Sequence, residues 1–153
     1  MIKLVILDVD GVLTDGKKYY DNTGKGILKT FCDRDFTAIK KFKASGVNII
    51  FLSGDKNINK QIANNRNIDF YYSRGKCKSL FLDSLKGAYK CNEDEIAFVG
   101  DDIFDLELMK IVKYKFCPKN ADEKLLNICS ILKSTSGSNC VSEVYDRLVK
   151  LNL

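Results

Sequence analysis

Lys3-Leu4-Val5-Ile6-Leu7-Asp8-Val9-Asp10-Gly11-Val12-Leu13-Thr14-Asp15-Gly16 decides how the rest of the chain is read. Its first half is a short apolar run, which reads as a strand buried on both faces. Its second half turns polar at once. Asp8 and Asp10 are two apart on an extended segment and so point to the same side. The glycines that follow let the backbone come close to an anion. On its own, such a pair of acids reads as well as a loop turn. Its meaning depends on what the remaining apolar blocks carry at their ends.

Those blocks alternate in type along the chain. Residues 3–9, 47–53, 68–72, 96–99, 114–117 and 130–133 read as strands. Helical patterns lie between or after them. Phe36, Ile39, Lys40 and Phe42 mark a helix over 35–44, and a second covers 57–65. Leu80, Phe81, Leu82, Leu85 and Ala88 form the apolar face of a third over 77–90. Further helices are expected over 103–111, 121–129 and 139–151, the last with Val141, Val144, Tyr145 and Leu148 at i, i+3, i+4, i+7. Alternating strands and helices predict an α/β fold, Rossmann-like, with a parallel sheet and helices on both faces. One segment breaks the rule. Residues 17–31 hold β-formers on either side of Asp21-Asn22-Thr23-Gly24 and predict a β-hairpin inserted after the first strand. No repeat, linker or composition break divides the chain, so residues 1–153 are expected to form one domain.

Composition narrows the chemistry. The chain has 153 residues, 45% hydrophobic and 29% charged, ordinary values for a globular protein large enough to bury a core. No apolar run is long enough to span a bilayer. The N-terminal apolar stretch is too short for a signal peptide, and an acid ends it. A cytoplasmic protein with no membrane partner is expected. Lys and Arg exceed Asp and Glu by five, but they are spread out and form no stripe of the kind that binds nucleic acid. The six cysteines contain no C-x-x-C pair, and histidine is absent. That removes support for a Cys/His zinc site and excludes every Ser-His or Cys-His nucleophile system. Acid–base work falls to carboxylates, Lys or Tyr.

Four polar groups then stand where a parallel sheet places a site. They are Asp8 to Gly16 after strand one, Ser53-Gly54 after strand two, Lys78 at the start of the helix after strand three, and Gly100-Asp101-Asp102-Ile103-Phe104-Asp105 after strand four. Each has an ordinary reading: a turn, a surface lysine, a helix cap. Together, in order and each following an apolar strand, they fit phosphoryl transfer. A carboxylate can attack phosphorus and form an acyl phosphate. Mg²⁺ prefers oxygen ligands and bridges carboxylates to phosphate. A second carboxylate can protonate the departing alkoxide and then activate water. A hydroxyl, backbone N–H groups and a lysine can spread the phosphoryl charge.

The run Asp8-Val9-Asp10-Gly11-Val12-Leu13-Thr14-Asp15-Gly16, with Ser53, Lys78 and Gly100 to Asp105, resembles the haloacid dehalogenase superfamily over nearly the whole chain. Three features make it most similar to the small capless branch of phosphatases that act on phosphorylated 3-deoxy-ulosonic acids. They are the wording of the first motif, a hairpin at 17–31 in place of a cap domain, and Gly137 to Val144, which resembles that branch's Gly-rich C-terminal segment. The resemblance implies a Mg²⁺-dependent phosphatase working through an aspartyl-phosphate. It implies Asp8 as nucleophile and metal ligand, and Asp10 as general acid/base with its backbone carbonyl on the metal. Ser53 would hold a phosphate oxygen, with Gly11 and Gly54 lining the phosphate. Lys78 would neutralise the phosphoryl group and position Asp8; Lys76 is the alternative one turn away. Asp101 would bind the metal, and Asp102 and Asp105 would steady Asp101 or Lys78.

Departures bear on the substrate. Members acting on 3-deoxy-D-manno-octulosonate 8-phosphate typically carry Arg where this chain has Asp55. An acid there is more similar to relatives acting on nine-carbon, sialic-acid-like 9-phosphates. The branch's Arg-Asp-Gly stands here as Arg34-Asp35-Phe36, and the usual C-terminal Arg is missing around Ser138-Asn139-Cys140. The resemblance also implies a homotetramer with the hairpins at its centre. Tyr19, Tyr20, Ile27 and Phe31 on a protruding hairpin would otherwise be exposed apolar surface. The rival functions are a non-catalytic oligomerisation module of the kind joined to sugar-acid cytidylyltransferases, a phospho-accepting receiver domain and a phosphomutase. The receiver has its acceptor after strand three, against strand one here, and a mutase needs a cap.

Overall fold

The computed structural model describes residues 1–151; the last two residues of the expected domain lie outside the described part. The strand expected over 3–9 is β1, Leu4–Leu7, and all four of its residues are buried. It sits at the centre of a six-stranded sheet. β4 (Asn48–Ser53) and then β5 (Asp69–Tyr72) lie on one side, and β6 (Ile96–Val99), β7 (Tyr114–Cys117) and β8 (Ser130–Ile131) on the other. Every pairing in this sheet is parallel. Leu4 to Leu7 register with Asn48 to Phe51 on one flank and Ile96 to Val99 on the other. The chain therefore leaves β1 toward β4 and later returns to β1's other edge with β6. That reversal of direction is the topological switch point, and it opens a crevice at the carboxyl ends of β1 and β6.

Strand alternation sorts the core into two layers. Val5, Leu7, Phe51, Ala97 and Val99 face α1 (Asp33–Ala44), α2 (Asn57–Asn65) and α6 (Cys140–Val149). Leu4, Ile6, Ile50, Leu52 and Phe98 face α3 (Leu82–Tyr89), α4 (Leu106–Ile111) and α5 (Glu123–Leu126). Fully buried Phe42, Phe51 and Phe98 each contribute roughly 1.5–3 kcal/mol of apolar burial. Among the described residues no helix is long and apolar enough to cross a membrane, and all six cysteines are free thiols.

Several expected details differ. In α1 Lys40 is exposed, and Ala38 joins Phe36, Ile39 and Phe42 in the core. The helix expected over 77–90 begins as a 3₁₀ turn, Lys78–Phe81, so the helical spacing restarts at Leu82. Leu82 and Leu85 are buried, while Leu80 is 72% exposed and Ala88 faces out. Another 3₁₀ turn, Ile103–Asp105, precedes α4. The helix expected over 121–129 is the single turn α5, and β8 has only two residues, both exposed.

The inserted hairpin is present. β2 (Tyr19–Tyr20) pairs antiparallel with β3 (Gly26–Leu28). Its turn is built on Asp21, whose Oδ1 accepts from Thr23 N, Thr23 Oγ1 and Lys25 N at 2.9, 2.6 and 2.9 Å. Tyr19, Tyr20, Ile27 and Leu28 are all more than half exposed. Phe31 is not among them. It packs on the core, its ring 5.8 Å from Phe36, because the strand has already turned inward toward α1.

Candidate active site

The end of β1 delivers Asp8 into the crevice, where it is buried. Its Oδ1 accepts from Val9 N at 2.8 Å and lies 2.9 Å from Lys78 Nζ. Lys78 reaches it from the 3₁₀ turn after β5 and is itself almost fully buried. Its ammonium also lies 2.7 Å from Asp105 Oδ1. Lys76, by contrast, is exposed. Burial works against the charge on Lys78, but Asp8 and Asp105 outweigh it and hold the ammonium above the ordinary lysine value.

β6 ends at Gly100-Asp101. Asp105 Oδ2 accepts from Asp101 N at 2.8 Å and Asp102 N at 3.0 Å, which folds the loop back on itself. A side chain at Gly100 would meet that carboxylate at 2.5 Å, so the turn needs glycine. The same holds across the crevice. Gly11 has φ +85°, and a Cβ there would lie 1.8 Å from Asp101 Oδ2. Asp102 stands apart from this cluster: it is exposed, and its Oδ1 accepts from Ile103 N at 2.6 Å as a turn cap.

Asp8, Asp101 and Asp105 each bring a carboxylate oxygen within 4.8 Å of the others. Burial, then the charges of Asp8 and Asp105, push Asp101 well above the ordinary carboxylate value. Burial likewise pushes Asp8 up, with Lys78 pulling the other way. Asp101 Oδ1 is buried without a hydrogen-bond partner. An all-oxygen donor set with excess negative charge and an unpartnered oxygen fits a hard divalent cation such as Mg²⁺. Asp8, Asp101 and Asp105 are the residues that could hold it.

The other side of the crevice is built differently. Ser53, buried at the end of β4, accepts from Asn59 Nδ2 at 3.0 Å and Asp55 N at 3.2 Å through Oγ. The Asp10 carboxylate accepts from Asn59 Nδ2 at 2.9 Å and from Thr14 Oγ1 at 3.2 Å. Lys29, descending from the hairpin, lies 2.8 Å from Asp10 Oδ1 and donates to Asp55 Oδ2 at 2.8 Å. Lys18, on the ascending side of the hairpin, also pairs with Asp55 Oδ2. Burial tends to raise Asp55, but the two lysines outweigh it and hold the carboxyl below its ordinary range. Asp55 is therefore a charge-compensated acid, paired with Lys18 and Lys29.

Asp8, Asp10, Gly11, Ser53, Asp55, Lys78, Asp101 and Asp105 border one cleft of about 400 Å³, together with Gly54, Ser73, Gly75 and Phe104, while Lys18, Lys29 and Asn59 stand behind its wall. Lys29, Asn59, Ser73 and Phe104 were not among the sequence candidates. Lys29 sits in a polar, strand-forming segment where nothing marks a lysine as buried. Asn59 lies in a helix whose buried face is Asn59 and Ala63, with the apolar Ile58 and Ile62 only half-buried beside it.

A model of the haloacid dehalogenase-like hydrolases matches residues 54–144. The 3-deoxy-D-manno-octulosonate 8-phosphate phosphatase of Haemophilus influenzae is 30% identical over 152 residues, covering 97% of this chain and 83% of that protein. The cobalt-bound structure of the deoxy-D-mannose-octulosonate 8-phosphate phosphatase from Haemophilus influenzae superposes with a TM-score of 0.88 at 30% identity, over 97% of this chain and 88% of the other. The corresponding phosphatase of Moraxella catarrhalis, solved with magnesium, phosphate and a KDO molecule, gives 0.89 at 26% identity, over 97% and 86%.

Proposed function

Since this chain belongs to the haloacid dehalogenase-like hydrolases, as a phosphatase of their capless branch, we propose that it hydrolyses the phosphate ester of a 3-deoxy-ulosonic acid through an aspartyl-phosphate on Asp8. The eight-carbon 8-phosphate is the first candidate substrate, since relatives that match nearly the full chain carry that activity in their names. The observation that carries the chemistry is the buried Asp8 held 2.9 Å from Lys78 in a cleft shared with Asp10, Ser53 and Asp101.

Lys78 and the Val9 N–H fix the Asp8 carboxylate, so its orientation is set before substrate arrives. Asp8 attacks phosphorus, and the bond from phosphorus to the sugar oxygen breaks. Asp10 gives a proton to the departing alkoxide. It then takes one from water, whose oxygen attacks phosphorus and releases Asp8 and inorganic phosphate. Ser53 Oγ, the backbone N–H groups near Gly11 and Gly54, and Lys78 bind the phosphoryl oxygens. Bound Mg²⁺ would add charge neutralisation at the phosphoryl group.

A second reading, a nine-carbon 9-phosphate as substrate, is favoured by Asp55, which lines the cleft and stands where the resemblance to the eight-carbon enzymes would put Arg. Assembly as a homotetramer is supported by the exposed apolar side chains of the hairpin, whose burial against other copies would exclude water from an otherwise open cleft.

The test is phosphate release from a panel of sugar phosphates with and without Mg²⁺, with Asp8→Asn as control. The panel includes the eight-carbon 8-phosphate and nine-carbon 9-phosphates. Turnover that needs Mg²⁺ and disappears in Asp8→Asn is expected. Preference for nine carbons would move the substrate to the second reading. A folded, tetrameric protein with no turnover on any ester would overturn the phosphatase mechanism.

A further inference from the structure

The hairpin is inside out. Around β3, Ile27 and Leu28 are exposed while the neighbouring Lys29 side chain is only 1% exposed. Burying a lysine is costly unless its charge and all three N–H donors are satisfied. Here they are. Lys29 Nζ donates to Asp10 Oδ2 at 2.9 Å, Asp55 Oδ2 at 2.8 Å and Asn59 Oδ1 at 2.9 Å. Those three acceptors come from three separate places: the loop after β1, the loop after β4, and α2.

Two of the acceptors are themselves tied down. Asn59 uses its Nδ2 to reach both Asp10 Oδ2 and Ser53 Oγ, at 2.9 and 3.0 Å. Asp55 is gripped from the hairpin's other arm by Lys18. A fastener for the hairpin alone could have used the apolar side chains that instead point outward. What Lys29 and its neighbours constrain is the Asp10 carboxylate, which receives Lys29, Asn59 and Thr14 together.

We propose that Lys29 is a positioning residue that sets the Asp10 carboxylate for proton transfer to the leaving group, so that the inserted hairpin forms part of the machinery of the reaction. This rests on the acid/base reading of Asp10 given above. Lys29 is not among the residues that line the cleft; it acts through Asp10, with Asp55 and Asn59 as its counter-anchors.

The experiment compares kcat/KM on two esters: the best sugar-acid phosphate of the panel, whose alkoxide needs a proton, and p-nitrophenyl phosphate, whose phenolate does not. On the sugar ester, Lys29→Met is expected to lose ~10²-fold, within the range that a positioned general acid contributes. The loss on p-nitrophenyl phosphate should be at least ~10-fold smaller, since that ester makes no use of the acid. Asp10→Asn should show the same selectivity, and the double variant should lose no more than Asp10→Asn alone, because the two residues act as one unit. Lys29→Gln, which keeps a donor but not the charge, serves as the second variant if Lys29→Met does not fold. Equal losses on both esters, or additive losses in the double variant, would reduce Lys29 to a structural fastener and overturn the proposal. Should Asp10→Asn itself lack selectivity, the acid/base reading fails first and takes the proposal with it, so the two failures are distinguishable.

Discussion

The two sides of the cleft carry their charge in opposite ways. On the β6 side, Asp8 and Asp105 share one ammonium, Lys78, while Asp101 lies beside them with an oxygen that has no partner. On the β4 side, Asp10 and Asp55 are matched by Lys18 and Lys29. Both sides are made of the same few residue types on loops after parallel strands. One is left with negative charge in excess, and the other is balanced from within by an inserted hairpin. The first arrangement offers excess negative charge and an unpartnered oxygen to a cation. The second is complete in the folded chain and can hold a carboxylate in place without one.

The largest effect should follow from deepening the imbalance. Lys78→Met leaves Asp8 and Asp105 buried without their counter-charge. Stability without divalent cation should fall by roughly 3–5 kcal/mol, the usual cost of breaking a buried pair. kcat/KM should fall by at least ~10²-fold, as when one phosphoryl-stabilising donor is lost. Thermal unfolding with and without Mg²⁺ is the sharper reading. Mg²⁺ should stabilise Lys78→Met more than the parent chain, because it supplies charge to the side that lacks it. An equal or smaller gain would break the contrast.

Gly11→Ala comes next. A Cβ at 1.8 Å from the Asp101 carboxylate cannot be accommodated without moving one of the two loops, and φ +85° adds strain for any L residue. Displacement of a reacting group by about 1 Å can cost ~10²-fold in rate. We expect that loss in kcat together with weakened Mg²⁺ binding, followed by titrating activity against Mg²⁺. Retained activity with unchanged Mg²⁺ dependence would mean that Asp101 is not held where the structure has it.

Smaller again is the effect of the cation on the parent chain. At a Mg²⁺ concentration of about 100 Kd, stability should rise by ~2.7 kcal/mol. Asp101→Asn should abolish most of that gain, and Asp55→Asn should leave it intact, since Asp55 belongs to the balanced side. A gain lost equally in both variants would show that the two sides are not independent.

The imbalanced side was the legible one. Its strands are continuous apolar runs, and each ends in a short polar motif, so Asp8, Lys78 and Asp101 to Asp105 could be placed on one edge by counting strands. The balanced side was only half legible. Asp10, Ser53 and Gly54 follow strands in the same way, but Lys29 and Asn59 depend on how a hairpin folds over α2. A two-residue strand with a register shift leaves no dependable alternation to read. Phe31 and Leu28 were exchanged for the same reason: the point where the hairpin turns inward is set by tertiary packing on Phe36. The 3₁₀ turn at Lys78 hid which residues of the next helix face inward, because its spacing of three shifts the phase of everything after it.

The same division between burial and partners recurs away from the cleft, at the start of α6, and gives the smallest expected effect. Asp35 is fully buried on α1; its Oδ1 accepts from Ser142 N at 2.9 Å, and its Oδ2 has no partner. Burial pushes its carboxyl from 3.8 up to about 6. Glu143, one residue further on in α6, accepts from Lys133 N, Ser134 N and Ser134 Oγ and pairs with Arg147. Burial would raise it too, but those partners outweigh it and bring the carboxyl down from 4.5 to about 2. The signs are therefore opposite. The contribution of Asp35 is fully present below about pH 4 and is lost as pH rises through 6. That of Glu143 is present above about pH 4.5 and is lost as pH falls toward 2. For the buried Asp35, a rise of that size corresponds to at most ~3 kcal/mol. Chemical denaturation from pH 4 to pH 7 should show Asp35→Asn gaining on the parent chain as pH rises, by ~1–3 kcal/mol. Glu143→Gln should be less stable than the parent at pH 6 and converge with it in acid. Parallel pH curves for Asp35→Asn and the parent would mean that the buried carboxyl has found a partner for Oδ2, and that burial alone does not govern it.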